Sequence, residues 1–280
     1  MPTIRYRLLN VFAEEAFGGN PLAVIEDATS LSDHEMQMVA RQFNLSETTF
    51  LLPSSTGAAR VRIFTPGYEM PFAGHPTLGS AHVVRSLKAA GDRFSLEMKA
   101  GLIPVAAEGD RWTLSANAPT HRPMAASRGQ LAAMLHLPES AIGEPALWVS
   151  CGNEQAMIPL TSVEHVRAAK PDAALMAQYS SNEDGRAKSY VFAPTADGYE
   201  VRFFWSPDGM SIGEDPGTGS ACANLGGWWL ATEGQQPLNA RINQGTSINR
   251  PNVLSLNVDT AGQIHVGGRV MEIGRGELSW

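Results

Sequence analysis

Apolar residues along this chain fall into short alternating or β-branched runs, broken by a few stretches of helical period. Residues 1–9 alternate charged and apolar side chains and predict an opening strand; they lack the apolar core of a signal peptide. Further strands are expected over residues 49–52, 60–65, 94–98, 103–107, 112–115, 189–193, 199–205, 253–258 and 264–266. Residues 32–43 predict an amphipathic helix: Ser32 and Glu35 have the spacing of a capping box, and Met36, Val39, Ala40 and Phe43 share one face. Its counterpart in the second half is either 125–136 or 163–169. Two more helices, 75–87 and 217–231, each follow a β-rich run and a Gly/Pro loop of about ten residues. The second carries no charge before Glu233, so it is apolar on all sides and predicts a helix buried all round. Short strands about a buried helix in each half imply a sheet curled around a central helix. The expected class is α+β in two pseudo-symmetric lobes.

An internal repeat supports two lobes. Residues 61–81 align without a gap on 201–221, an offset of 140. Val61, Arg62, Phe64, Met70, Pro76, Gly79, Ser80 and Ala81 recur as Val201, Arg202, Phe204, Met210, Pro216, Gly219, Ser220 and Ala221. Residue frequencies alone would give about one or two matches. Upstream, Gly19, Asn20, Ala23 and Ile25 recur as Gly152, Asn153, Ala156 and Ile158. Two copies are too few for a solenoid and imply a duplicated domain. The expected lobes are 1–120 and 121–269, with prolines 119 and 123 marking a linker over 120–126 and a tail of about 270–280 returning to the first lobe.

Composition then removes function classes. A net charge of −7 without a basic block argues against nucleic acid or an anionic membrane surface as partner, and no apolar run reaches membrane-spanning length. Two cysteines, Cys151 and Cys222, without a CxxC pair fit a reducing cytoplasm. There is no HExxH or Cys/His cluster, Walker A sequence or complete dinucleotide fingerprint, and Ser220 lacks the flanking glycines of a nucleophile elbow.

The remaining chemistry gathers at the two helix starts. Gly74-His75-Pro76 and Asp215-Pro216-Gly217-Thr218-Gly219-Ser220 are either simply well-capped helix entries or anion sites for a substrate carboxylate. In the ungapped alignment His75 and Asp215 occupy matching positions. Glu47, between a helix and a strand, reads either as a solvated loop acid or as a proton carrier. Of the three it has the fewest anion-stabilising neighbours in sequence, which favours it as the general acid/base.

Phe17-Gly18-Gly19-Asn20-Pro21-Leu22-Ala23-Val24, Asn44-Leu45-Ser46-Glu47-Thr48, Ala73-Gly74-His75-Pro76-Thr77-Leu78-Gly79 and Gly213-Glu214-Asp215-Pro216-Gly217-Thr218-Gly219-Ser220-Ala221 together resemble the phenazine-biosynthesis PhzF-like isomerases, within the diaminopimelate-epimerase-like superfamily. The resemblance implies two lobes, each a barrel-like, mostly antiparallel sheet around a central helix, an active site in the cleft between them, and a homodimer. It implies a proton shift on a small cyclic amino or hydroxy carboxylic acid, as in dihydro-hydroxyanthranilate isomerisation, without metal or organic cofactor. Glu47 matches the proton carrier; His75, Asp215 and Ser220 match residues that orient the substrate and assist; Gly74, Gly217, Thr218 and Gly219 match the loops that cradle the carboxylate. The epimerase branch uses two cysteines, whose aligned positions hold Pro76 and Pro216 here, so a two-thiol racemase is disfavoured. An amino-acid racemase or epimerase and a noncatalytic small-molecule-binding relative stand as alternatives.

Overall fold

The computed structural model describes residues 3–280 except 184 and 235. Residues 1–2 of the expected opening strand thus lie outside the described residues. The chain divides into two compact units, Met1–Ser115 with Gly267–Trp280, and Ala116–Val266. In chain order the first unit runs β1 (Thr3–Val11), β2 (Asn20–Ile25), α1 (Asp33–Phe43), β3 (Thr48–Leu52), β4 (Ala59–Phe64), β5 (Glu69–Met70), α2 (Gly74–Lys88), β6 (Arg93–Met98), β7 (Gly101–Glu108) and β8 (Arg111–Ser115). The second runs β9 (Thr120–Pro123), α3 (Arg128–Leu135), β10 (Leu147–Ser150), β11 (Gln155–Pro159), α4 (Val163–Ala168), α5 (Ala173–Tyr179), β12 (Ala187–Pro194), β13 (Gly198–Ser206), β14 (Gly213–Asp215), α6 (Gly219–Glu233), β15 (Leu238–Gln244) and β16 (Asn252–Val258). The last strand, β17 (Ile264–Ser279), begins in the second unit and ends in the first.

In the first unit β1 pairs with β2, then β3, β4, β6, β7, β8 and β17 follow in turn, and β17 pairs back onto β1. The sheet is therefore a closed barrel of eight strands, antiparallel except at β2–β3 and β4–β6. Closure leaves no long unpaired edge. Helix α2 lies against β1, β2, β3, β4 and β8, with His75–Ala81 and Val83–Val84 buried. It is the barrel's filling. Outside the wall, α1 packs Met36, Val39 and Ala40 on Ile25, Phe50 and Phe64, Met36 and Val39 each stabilising by roughly 1.5–3 kcal/mol on burial. The capping box forms as its spacing predicts, Ser32 Oγ accepting from the Glu35 N–H and Glu35 Oε2 accepting from the Ser32 N–H.

The second unit repeats the plan. Strands β9, β10, β11, β12, β13, β15 and β16 pair in that order, and a turn closed by Asp259 N–H to the Gln263 carbonyl leads from β16 into β17. Helix α6 lies against β9, β10, β11 and β16, with Ala221–Trp228 buried, as a helix apolar on all sides requires. Helices α4 and α5 join the parallel pair β11–β12 as α1 joins β2–β3, so the 163–169 segment is the counterpart of α1. Residues 120–123, whose neighbouring prolines suggest a linker, form β9. Pro123 stands at the end of the ladder with β10, where a missing N–H is tolerated.

Strand register corrects the ungapped repeat. Ile63 pairs with Met70 and Phe64 with Glu69; at an offset of 140, Phe203 pairs with Asp215 and Phe204 with Glu214. The partners differ by 145, because nine residues rather than four separate the paired positions in the second hairpin. The longer tip is internally tied: Asp208 Oδ1 accepts from the Met210 and Ser211 N–H groups. The helices keep the new offset, both being 15 residues long from Gly74 and Gly219. Thus His75 shares its level with Ser220, while Asp215 lies in β14 at the level of Met70. Pro76 likewise sits inside α2 and Pro216 before α6, so those prolines are not equivalent. Pro, Gly, Ser and Ala recur near many helix starts, which is how the ungapped match survives a five-residue insertion.

Candidate active site

Asn44 ends α1 in the left-handed conformation (φ 51°) and turns the chain toward β3, leaving Glu47 immediately before the first paired residue, Thr48. Of the two readings left open for Glu47, the solvated loop acid does not fit: its side chain is 16% exposed, and Oε2 is buried with no hydrogen bond to any described residue. His75, in the first turn of α2, places Nε2 3.5 Å from that oxygen, and its own side chain is 7% exposed. Burial pushes the Glu47 carboxyl above its ordinary range, and a hydrogen bond from Ser46 pulls it partly back. Ala73 caps α2 without a side-chain bond, and the helix dipole adds positive potential at this mouth. Within the first unit, therefore, the structure brings together Glu47, His75 and the amide-lined start at Gly74.

The hairpin leading to that mouth is clamped. Arg62 donates from Nε and Nη2 to the two oxygens of Glu69 at 2.7 and 2.9 Å, and its guanidinium lies 5.1 Å from the Phe64 ring centroid. The second unit has the same device: Arg202 to Glu214 at 2.9 and 2.7 Å, over Phe204 at 4.6 Å. The repeated Arg-x-Phe is thus a bidentate clamp with a stacked guanidinium.

At the start of α6, Thr218 Oγ1 donates to Asp215 Oδ2 at 2.5 Å and accepts from Gln244 Nε2 at 2.9 Å. The Thr218 N–H donates to Gln244 Oε1, and Gln244 Nε2 also reaches the Asp215 carbonyl. Thr218 holds Asp215 in place: its N–H and hydroxyl are both engaged and it is buried. Gly217 is buried under Asn252, whose side chain fills the space a Cβ would need. Gly219 and Ser220 open the helix, half-buried, and Ser220 Oγ accepts from Gln155 Nε2 at 3.1 Å. Gln155, Gln244 and Asn252 are residues that sequence reasoning missed.

Both cysteines belong to the second unit and are unpaired thiols. Burial pushes Cys151 up to about 12 and Cys222 further still, so neither is an acid/base group at neutral pH. Among the described residues no group of three or more His, Cys, Asp or Glu is arranged to hold a metal ion. None of their helices is long and apolar enough to cross a membrane.

The family model described as phenazine biosynthesis-like protein matches residues 9–274. The chain belongs to this family. It is 35% identical to the trans-2,3-dihydro-3-hydroxyanthranilate isomerase of Pseudomonas aeruginosa over 92% of each chain. An uncharacterized isomerase of Pasteurella multocida is 42% identical over 98% of this chain and 93% of its own. Among solved structures, a phenazine biosynthesis protein of the PhzF family from Bacillus anthracis superposes with a TM-score of 0.88 at 25% identity, covering 100% of both chains. The protein is accordingly an isomerase with the fold of the phenazine biosynthesis-like proteins.

Proposed function

We propose that this isomerase shifts a proton between two carbons of a small cyclic amino or hydroxy carboxylic acid, and that Glu47 carries the proton. The observation that carries the reading is Glu47 itself: a buried carboxylate with a raised pKa and an unengaged oxygen, beside His75 at a helix mouth. As carboxylate, Glu47 takes a proton from an activated carbon; the C–H electron pair enters the conjugated system and an O–H bond forms on Glu47. That O–H then returns the proton to a different carbon, so the atoms of substrate and product are the same. One carboxyl acting in both directions delivers the proton to the face it left. In the first unit His75 orients the substrate beside Glu47 and the Gly74 N–H is a carboxylate donor; in the second, Asp215 and Ser220 are the substrate contacts and the Gly217 and Gly219 N–H groups the carboxylate donors that the family resemblance implies. The two unpaired thiols fit a cytoplasmic setting, and family resemblance supports a homodimer.

The relative's name supplies the first compound to try. Incubating trans-2,3-dihydro-3-hydroxyanthranilate and a panel of cyclic amino and hydroxy carboxylic acids with the enzyme in heavy water, with mass analysis, should show an isomer carrying solvent deuterium for at least one acid. Acids that raise the melting temperature without conversion or exchange would instead make the chain a binding protein. Loss of optical rotation without a new isomer would make it a racemase.

A further inference from the structure

The second unit contains a chain of amide hydrogen bonds that the reaction outlined above does not use. Asn224 of α6 and Gln155 at the start of β11 are both fully buried. The Cys151 N–H donates to Asn224 Oδ1 at 2.7 Å. Asn224 Nδ2 donates to the Asn153 carbonyl and to Gln155 Oε1, each at 2.8 Å. Gln155 Nε2 in turn donates to Ser220 Oγ.

Backbone groups set the direction of this chain. An N–H only donates, so the Asn224 atom facing Cys151 is oxygen; a carbonyl only accepts, so the atom facing Asn153 is nitrogen. With Asn224 set, Gln155 must turn its oxygen toward Asn224 and its nitrogen toward Ser220. Ser220 Oγ therefore receives a hydrogen bond from inside the protein, and Gln155 is the hydroxyl's one partner among the described residues. Its proton is left for an acceptor on the half-exposed side of the helix mouth.

The fold does not require such a chain. Leu9 faces Leu22 across β1–β2 as Val149 faces Gln155 across β10–β11, and Gly79 packs on Val11 and Leu22 where Asn224 bonds Cys151 and Gln155. The first barrel thus fills the corresponding positions with Val11, Leu22 and Gly79. Burying two amides where apolar residues suffice costs free energy unless every group is paired, and here the pairing runs to Ser220.

We propose that Gln155, oriented by Asn224, is a positioning residue that sets the polarity of the Ser220 hydroxyl so that it donates to the substrate carboxylate. This rests on the reading of Ser220 as a substrate contact. Because Gln155 acts through Ser220, its effect should vanish when Ser220 is removed.

Anthranilate, a stable cyclic amino carboxylic acid, serves as the probe, its binding to the intact protein measured by calorimetry from pH 5 to 9. Ser220→Ala should weaken binding about tenfold, the usual worth of one hydrogen bond to a charged group. Gln155→Glu keeps the shape but reverses the polarity. As carboxylate, the substituted side chain draws the Ser220 proton inward, so affinity relative to wild type should fall to the level of Ser220→Ala at high pH. As the acid form returns, its O–H can again donate to Ser220, and affinity should recover as pH falls. In a Ser220→Ala background, Gln155→Glu should add nothing. Gln155→Leu, which copies Leu22, removes the donor without a charge; it should weaken binding with no such pH step and decides the matter if Gln155→Glu does not fold. Weakening by Ser220→Ala with no effect of either Gln155 variant would overturn this inference alone. Unchanged binding in Ser220→Ala, or no binding of anthranilate to wild type, would overturn the reading of Ser220 as a carboxylate contact and this inference with it.

Discussion

Glu47 meets two opposed demands. A base must ionise, yet its site disfavours the charge, and the result is a carboxyl whose pKa lies above its ordinary 4.5. The sign for stability follows. Below 4.5 the group is an acid in both folded and unfolded protein and burial costs nothing electrostatic; as pH rises toward the raised folded value, the unfolded chain ionises first and stability is lost. Glu47→Gln should therefore melt at a higher temperature than wild type at pH 7, with the difference fading below pH 4.5, as a calorimetric pH series would show. The same raised pKa should appear as the acid limb of kcat/KM, activity falling about tenfold per pH unit below it. Glu47 and His75 were legible because they sit in motifs. Gln155, Gln244 and Asn252 were not, since single amides on strands have no period or spacing; the nearest signal was Asn224, an amide in the middle of a largely apolar helix.

The elements carrying these residues are held by paired clamps. In β13–β14 both members are largely enclosed, Arg202 and Glu214 each having 12% side-chain exposure. Replacing Arg202 with Gln would strand the Glu214 carboxylate, and we expect a loss of about 3 kcal/mol in urea unfolding. Arg202 and Glu214 exchanged for Gln together should recover part of it. The Arg-x-Phe repeat was legible as a repeat but not as a clamp, because the glutamates fall at different sequence distances, seven residues on from Arg62 and twelve from Arg202. The same insertion misled the alignment at the helix mouths, pairing His75 with Asp215 where the strands pair Met70 and Asp215 with equivalent neighbours. Both central helices and many strands, such as β3, β4, β8, β12, β13 and β16, were plain from period and charge, because burial on one or all faces leaves a direct imprint on the sequence; β2, β9, β10, β11 and β15 were not expected as strands.

Across the whole molecule, the eighth strand of the first barrel comes from the far end of the chain: β1 pairs with β17 from Thr3–Ser279 to Val11–Val270. A fragment of residues 1–115 lacks that strand and should stay open and poorly ordered by circular dichroism, gaining structure when a peptide of residues 267–280 is added. Folding of the fragment alone would contradict this account. Two units were visible as a repeat, and what one sequence could not supply was the direction in which each buried amide points. The central claim, that one buried carboxylate moves the proton, is tested most directly by comparing wild type with Glu47→Gln on a turned-over acid in heavy water. Wild type should yield an isomer with solvent deuterium. Glu47→Gln should still bind the acid but lose conversion and exchange together, by about 10²–10⁴-fold. Deuterium incorporation at an undiminished rate in Glu47→Gln would contradict the account.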